Sequence, residues 1–200
     1  MLELGYRTPD EWARRAIREP RALLSDHAHC ELRAASSAQA LITRNPEAPG
    51  LVDRLAAVAT EEMRHFRRVL RSLRTLGGEL REGRGNPYVE GLMARSGPTR
   101  GAVLLDRLLI SALIERRSLE RFELLARAAD KGGGAGGARL AELYSRLIPS
   151  EGAHAELFCE LAREAFPGPL VRRRLAALVG MEAAVVGSLP FAARIHSGLA

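Results

Sequence analysis

Two glutamate–histidine pairs are the residues of this chain whose types and spacing best suit chemistry. Glu62 precedes His65 by three positions, and Glu151 precedes His154 by three positions. Side chains three positions apart on a helix lie on the same face, so each pair can bind one side of a metal ion. The spacing alone is a weak signal, because 19 glutamates and five histidines will sometimes fall three apart by chance.

Two further glutamates match these pairs in their distance from predicted turns. Glu31 and Glu62 are each about 15 residues from the centre of a Pro- and Gly-rich break, or roughly 22 Å along a helix. Glu115 and Glu151 each lie 18 residues from Gly133, inside the sequence KGGGAGG. Folding each helical hairpin at its turn therefore brings a glutamate opposite a Glu-x-x-His pair, twice.

Four glutamates and two histidines are the donor set of di-iron carboxylate centres in helical bundles. Two ferrous ions carry four positive charges, which four carboxylates neutralise, and imidazoles complete the ligand shells while positions stay open for O₂. Four carboxylates buried without metal would be very costly, which favours metal binding over four surface glutamates. The predicted metal ligands are Glu31, Glu62, His65, Glu115, Glu151 and His154.

The elements that must position these ligands are predicted to be helices. Ala, Leu, Arg and Glu dominate the chain and aromatic residues make up only 4%, which favours helix over strand. The predicted helices lie near Asp10–Glu19, Pro20–Arg44, Leu51–Leu76, Pro98–Asp130, Ala138–Ala165 and Leu170–Val186. Two long hairpins, joined by a connection from Gly77 to Gly97 that can cross the bundle, give an all-α four-helix bundle with extra terminal helices.

Length and composition narrow the class of protein. The 200 residues suit one domain over 1–200, with a core bundle at about 20–166 and a C-terminal helix and tail at 169–200. Two cysteines rule out a disulfide-dense scaffold, and no stretch approaches the roughly 18–20 apolar residues of a membrane span. The N-terminus lacks a signal-peptide pattern, so a soluble cytoplasmic protein is expected.

The charge balance bears on the partner. The net charge is +6, and all but one of the 30 basic residues are arginine. Arginine makes bidentate contacts with phosphate, so a polyanion such as RNA is a reasonable partner. An arginine-rich genome explains the same composition equally well.

Five segments together resemble the tRNA hydroxylases of the MiaE type. They are DHAHCELRAASSAQAL (26–41), EEMRHFRRVL (61–70), LLISALIERRSLERFELLA (108–126), SEGAHAELFCELA (150–162) and FAARIHSG (191–198). The resemblance implies a ferritin-like fold and a non-haem di-iron centre held by the six residues named above. It also implies hydroxylation, with O₂, of the isopentenyl group of (2-methylthio-)N6-isopentenyl adenosine beside the anticodon of tRNA. A reductase or ferredoxin would supply the electrons, since the sequence has no flavin or Fe–S motif.

Two other functions use the same ligands: a ferritin-like ferroxidase or iron-handling protein, and a di-iron oxygenase with a different substrate. Two departures from the family pattern bear on this choice. Gly152 and Ala153 stand where the family tends to have Ala and a larger residue, and Pro149 lies two positions before Glu151. Proline removes a backbone hydrogen bond and glycine loosens a helix, so we expect a bulge at the site.

Other polar residues near the predicted ligands carry weaker expectations. Glu61 lies about 100° around the helix from Glu62, so we expect it beside the ligands or at the surface and not on the metal. His27, four residues before a predicted ligand, either contacts the ligands, lines a pocket or is a satisfied buried histidine. His29 and His196 are expected outside the ligand set, although the HSG ending recurs in the resembling family, which suggests that His196 packs near the site.

Three further groups have both a functional and a structural interpretation. The candidates for lining a pocket, or for simple core packing, are Ser111, Ser118, Phe66 and Phe122. The cysteines, Cys30 and Cys159, are expected to be small buried residues. The arginines that flank the ligands suit either tRNA phosphates or ion pairs and solvated helix faces; they are Arg64, Arg67, Arg68, Arg116, Arg117 and Arg121.

Overall fold

The chain folds into α-helices in the computed structural model, which describes residues 2–83, 85–96, 103–132 and 134–200. The helices are α1 (Asp10–Ala16), α2 (Pro20–Arg44), α3 (Pro49–Thr75), α4 (Pro87–Ser96), α5 (Val103–Gly132), α6 (Gly134–Ala165) and α7 (Gly168–Ser188). No strand occurs in these ranges, which confirms the all-α class. All six predicted helices are present, although Pro98, the predicted start of the helix observed as α5, lies outside the described residues. No described helix combines the length and apolar character needed to cross a membrane.

Four long helices form the bundle. α2 packs against α3, α5 packs against α6, and α3 also contacts α6. Buried apolar side chains form two clusters, and one of them joins the beginnings of α3 and α5 through Leu55 and Leu108. The other cluster joins the ends of the same two helices through Leu73 and Leu125. α3 and α5 therefore run parallel, and the connection between the hairpins crosses the length of the bundle as predicted.

This connection contains a helix that the sequence pattern does not predict. α4 is ten residues long and buries Tyr88 and Leu92 against α7 and α5. Two apolar contacts one turn apart give little periodicity, and glycines and prolines surround them in the sequence. The helix is stabilised by packing rather than by its own pattern, which is why tertiary contacts are needed to recognise it.

The Gly-rich turn of the second hairpin is tighter than predicted. The sequence predicts a loop over KGGGAGG, but α5 continues to Gly132 and α6 begins at Gly134. A Cβ atom on Gly137 would lie only 2.7 Å from the carbonyl oxygen of Ala129. The glycines therefore allow the two helices to approach closely at the turn instead of forming a long loop.

The helix that carries the second Glu-x-x-His pair is continuous. α6 is helical from end to end, through both Pro149 and Gly152. The bulge expected at these positions is therefore absent from the described residues of α6. Ser150 Oγ donates a hydrogen bond to the carbonyl oxygen of Leu147 at 2.8 Å, which satisfies part of the backbone beside the proline.

The C-terminal tail, residues 189–200, returns to the bundle after α7. The indole Nε1 of Trp12 donates to Ser197 Oγ at 2.9 Å. The backbone N–H of Ile195 donates to Asp26 Oδ2 at 3.0 Å, and Arg194 pairs with the same carboxylate. These contacts fix the tail against α1 and α2 and place His196 in the interior.

Candidate metal centre

The six predicted ligands lie together in the middle of the bundle, and none is more than 6% exposed. All four bundle helices supply predicted ligands: α2 and α5 carry one glutamate each, and α3 and α6 carry one Glu-x-x-His pair each. Their donor atoms form two groups, each with atoms within 4.8 Å of one another: Glu31, Glu62, His65 and Glu151, and Glu62, Glu115 and His154. Glu62 belongs to both groups, so its carboxylate would be within reach of an ion in either one.

The ring of His65 turns its Nδ1 atom toward the carboxylates. Nδ1 lies 3.4 Å from Glu62 Oε2 and 3.9 Å from Glu151 Oε1. The other ring nitrogen, Nε2, lies 3.1 Å from Ser150 Oγ. Because the Ser150 hydroxyl proton goes to a backbone carbonyl, its oxygen accepts from Nε2–H. This contact leaves the Nδ1 lone pair free for a metal.

Glu61 accepts a hydrogen bond from the outer ring nitrogen of His154, as Ser150 does from that of His65. Nε2 of His154 donates to Glu61 Oε2 at 3.1 Å, and Nδ1 lies 2.7 Å from Glu62 Oε1. Glu61 is 44% exposed, and its other oxygen lies 3.9 Å from Nε2 of His65. The structure thus places Glu61 beside the ligands and outside the two donor groups. Carboxylates that accept from the outer nitrogen of a histidine orient the ring and raise its basicity as a ligand.

His27 contacts the ligand set from α2. Its Nε2 atom lies 2.5 Å from Glu31 Oε1, and its ring stacks on Tyr144 with centroids 5.5 Å apart. Burial, assisted by the nearby His65, lowers the pKa of His27 to about 3. The imidazole is therefore neutral at pH 7 and lies beside the Glu31 carboxylate without adding a charge.

The carboxylates of the cluster cannot all ionise easily. Burial, together with the charge of Glu62, raises the pKa of Glu31 well above its usual range and that of Glu115 to about 7. Burial and the neighbouring carboxylates likewise raise the pKa of Glu151. Burial also opposes ionisation of Glu62, but the two neighbouring histidines, His154 above all, outweigh it and lower that pKa. Burial disfavours charge on His154 as well, yet Glu62 and Glu115 raise its pKa to about 9.

Cations would resolve this crowding, and the buried polar atoms without hydrogen-bond partners point inward as such a site requires. These atoms are Glu31 Oε1, both carboxylate oxygens of Glu62, His65 Nδ1, Glu151 Oε1 and His154 Nδ1. Leaving a buried polar atom unsatisfied costs about 1–3 kcal/mol. Carboxylate oxygens with two imidazole nitrogens suit ferrous iron or manganese. The residues present therefore fit a two-metal centre.

A cavity of about 80 Å³ lies directly beside the cluster. Its walls include three carboxylates of the cluster, together with the sequence-predicted Ser111, Ser118 and Phe122. Phe66, the fourth candidate, packs against the apolar cluster at the end of α3 instead. His196 also lines the cavity and lies outside the two donor groups. Its ring stacks on Tyr88 at 4.8 Å, and its Nε2 lies 3.2 Å from Ser118 Oγ.

Three of the six flanking arginines point into the protein. Arg117 is fully buried and pairs with Glu182 through two hydrogen bonds of 2.8 and 2.9 Å. Arg121 lies 3.9 Å over the ring of Trp12 and donates to the carbonyl of Ser197. Arg116 donates to the carbonyl oxygen of Leu2. The interpretation of these three as phosphate ligands is therefore wrong, because ion pairs and buried hydrogen bonds occupy them. The other three, Arg64, Arg67 and Arg68, are exposed.

Of the remaining candidates, His29 and Cys159 lie where the sequence leads us to expect them, and Cys30 does not. His29 contacts the carbonyl oxygen of Arg81 at 2.7 Å, away from the cluster. Cys159 is buried, whereas Cys30 is partly exposed and lines the cavity. Ser150 is the contact that sequence reasoning missed, and its position one residue before Glu151 is the only signal that would have indicated it.

Comparison with known proteins supports a specific family. A family model described as tRNA-(MS[2]IO[6]A)-hydroxylase (MiaE) matches residues 3–197. A Pseudomonas putida protein named tRNA 2-(methylsulfanyl)-N(6)-isopentenyladenosine(37) hydroxylase is 31% identical over 98% of this chain and 92% of its own length. A Salmonella typhimurium protein of the same name is 27% identical over 78% of this chain and 55% of its own length.

A solved structure agrees with this assignment at the level of the fold. It is titled Protein 43 with aldehyde deformylating oxygenase activity, from Synechococcus. It matches with a TM-score of 0.88 and 32% identity, over 98% of this chain and 96% of that chain. The chain thus has the ferritin-like fold of di-iron oxygenases. On the family match and the Pseudomonas relative together, the chain belongs to the MiaE family of tRNA hydroxylases.

Proposed function

We propose that this protein is an O₂-dependent di-iron monooxygenase that hydroxylates the isopentenyl group of (2-methylthio-)N6-isopentenyl adenosine in tRNA. The observation that carries the proposal is the cavity, which reaches Glu31, Glu115 and Glu151 from outside the metal cluster. An iron-storing protein does not need such a cavity beside its metal site. Family membership supports the choice of substrate, and a tRNA substrate places the reaction in the cytoplasm.

Two iron ions would occupy the two donor groups described above, with Glu62 shared between them. Iron bound there supplies the activation of O₂. The protein's own residues neutralise the ions, keep the cluster away from water and orient the imidazoles. Ser150 and Glu61 fix the two histidine rings, and His27 holds the Glu31 carboxylate.

The walls of the cavity suit a prenyl group. Ile114, Phe122 and Phe158 supply apolar surface next to the carboxylates. Beside the cavity lies a larger polar crevice of about 700 Å³, and Arg33 lines both. Arg81 and Arg194 also line this crevice. A prenylated adenosine would thus enter between α2 and α5, and RNA phosphates would lie against the arginines of the crevice.

The reaction needs electrons that this chain does not carry. Hydroxylation converts a C–H bond, one O₂, two electrons and two protons into a C–OH group and one water. We propose that a reductase or ferredoxin delivers the two electrons.

Nucleoside mass spectrometry tests the proposal directly. Prenylated tRNA would be incubated with iron-loaded protein, dithionite and O₂, and then digested to nucleosides. We expect the prenyl adenosine to gain one oxygen, and we expect Glu115→Ala and His154→Ala to abolish this gain. Asp53→Asn, an exposed change on α3, is the matched control and should retain activity. Absence of the oxygen gain, in protein with two irons per chain, would contradict the substrate assignment.

A second candidate reaction rests on the Synechococcus structure, whose title names aldehyde deformylating activity. The same iron-loaded protein would be incubated with a long-chain aldehyde in place of tRNA, and formate release would be measured. Formate at rates above those for prenylated tRNA would favour this second activity.

A further inference from the structure

The two sides of the bundle differ in what they present. α2, α5 and the C-terminal tail provide most of the cavity wall, so substrate enters on that side. α3 and α6 contact each other and form the opposite side. Electrons delivered to the same centre need not follow the route of the substrate.

The α3/α6 side carries a dense set of arginines. We call it the arginine surface, and its members are Arg67, Arg68, Arg71, Arg74, Arg139 and Arg146. All six are exposed. On α3, Arg71 lies four residues after Arg67 and three after Arg68, and Arg74 lies three residues after Arg71, so the four share one side of the helix. A cleft of about 430 Å³ separates them from the two arginines on α6.

This surface is not neutralised from within the protein. Glu142 pairs with Arg146 at 2.5 Å, and no other ion pair to the arginine surface is present among the residues that the structure describes. Five like charges this close together repel one another and do not stabilise the fold. They do create a strong positive potential that attracts an anionic partner.

The arginine surface lies next to the histidine side of the metal cluster. Arg68 is three residues beyond His65 on α3, or about 4.5 Å along the helix axis. Glu61, which is 44% exposed, contacts Nε2 of His154. On this side of the bundle, a partly exposed carboxylate therefore contacts a histidine of the cluster directly.

We propose that the arginine surface docks an acidic electron-carrier protein of the ferredoxin type. The inference rests on the proposed function, which requires two external electrons. Two reduced carriers would dock in succession, and each would oxidise its own [2Fe–2S] cluster by one electron, so that two ferric ions become two ferrous ions. An RNA also matches the charge, but its adenosine must enter between α2 and α5, and an RNA held on the opposite side of the bundle would not present it there.

Charge reversal tests the docking surface. The test variant is Arg68→Glu/Arg71→Glu, and the matched control is Arg172→Glu/Arg173→Glu, two exposed arginines on α7. The probe is an acidic [2Fe–2S] ferredoxin reduced by NADPH and a ferredoxin reductase. Binding to metal-free protein would be measured by calorimetry, and reduction of iron-loaded protein by stopped-flow absorbance. Thermal unfolding of both variants checks that the fold is retained.

The test variant should bind ferredoxin at least tenfold more weakly than the wild type and should be reduced at least tenfold more slowly. Added salt should also slow the reduction of the wild type by ferredoxin, because the attraction is electrostatic. The control variant should match the wild type. Affinity for prenylated tRNA and hydroxylation driven by dithionite should be unchanged in both variants.

Two results would overturn the docking surface. The first is a failure of ferredoxin to discriminate: either the wild type neither binds ferredoxin nor accepts its electrons, or the test variant binds ferredoxin and is reduced by it as well as the wild type. The second is a test variant that loses affinity for tRNA, which would assign the surface to RNA. Failure of the proposed function would give a different result. Dithionite-driven hydroxylation of prenylated tRNA would then be absent in the wild type and in every variant, regardless of how well each binds ferredoxin.

Discussion

Removal of the Glu61 carboxylate should weaken one metal ion more than the other. Glu61 accepts from Nε2 of His154 at 3.1 Å but lies 3.9 Å from Nε2 of His65. His65 has its own partner, since its Nε2 donates to Ser150 at 3.1 Å. Glu61→Ala therefore frees the ring of His154 and leaves the orientation of His65 nearly intact. Ser150→Ala should have the opposite selectivity.

The size of the effect follows from the geometry. Partners of the outer nitrogen of a metal-binding histidine typically contribute about 10- to 100-fold in metal affinity. Glu61 is 44% exposed, so water replaces part of its contact and the lower end applies. We expect about a tenfold loss, or about 1.4 kcal/mol, at the ion bound by His154. Glu61→Gln retains an acceptor oxygen and should lose less.

Cobalt(II) titration of the metal-free protein measures both ions separately. Visible absorbance reports ligand geometry, and competition with a chelator gives the two affinities. Asp53→Asn, on the exposed face of the same helix, is the control for a lost surface carboxylate. If Glu61→Ala binds both ions as tightly as Asp53→Asn does, helix packing alone orients His154 and the reasoning given for Glu61 is wrong.

Three further changes have definite expected outcomes. Metal affinity should rise steadily from pH 6 to pH 9, because Glu115 (pKa about 7) and His154 (pKa about 9) must lose protons to bind metal; calorimetry in buffers of different ionisation enthalpy measures this proton release. Ala34→Phe should fill the cavity and abolish tRNA hydroxylation while iron content, measured by elemental analysis, stays at two per chain. Arg117→Met leaves Glu182 buried without its partner and should lower the free energy of unfolding in urea by about 3–5 kcal/mol.

The sequence predicts the bundle and the grouping of the cluster residues because both depend on local regularities. Glu-x-x-His spacing needs only a helix, and the positions of Glu31 and Glu115 opposite the pairs need only two turns at the correct places. The turn at KGGGAGG is tighter than predicted, yet Glu115 and Glu151 still interact with each other. The tighter turn shortens the loop and lengthens both helical arms, so the two glutamates remain opposite each other.

The parts that the sequence does not predict depend on contacts between distant segments. His196 reaches the cavity because Trp12 and Asp26 hold the C-terminal tail, and no local pattern indicates either contact. Arg117 and Arg68 both follow predicted ligands on long helices, but α7 brings Glu182 against Arg117, whereas Arg68 is exposed. Whether an arginine in this chain is buried or exposed is decided by packing of the terminal helices.

The handling of buried charge distinguishes the metal cluster from the rest of the interior. The chain neutralises buried Glu182 with Arg117 at 2.8 Å, and it has 30 basic residues from which to draw such partners. Glu31, Glu115 and Glu151 instead lie against one another and against imidazoles, with their pKa values raised. Ionising them above pH 4.5 therefore lowers the stability of the metal-free fold as the pH rises. The chain pairs buried Glu182 with arginine but leaves these three carboxylates without arginine, so the cluster keeps the unneutralised carboxylates that a metal centre requires.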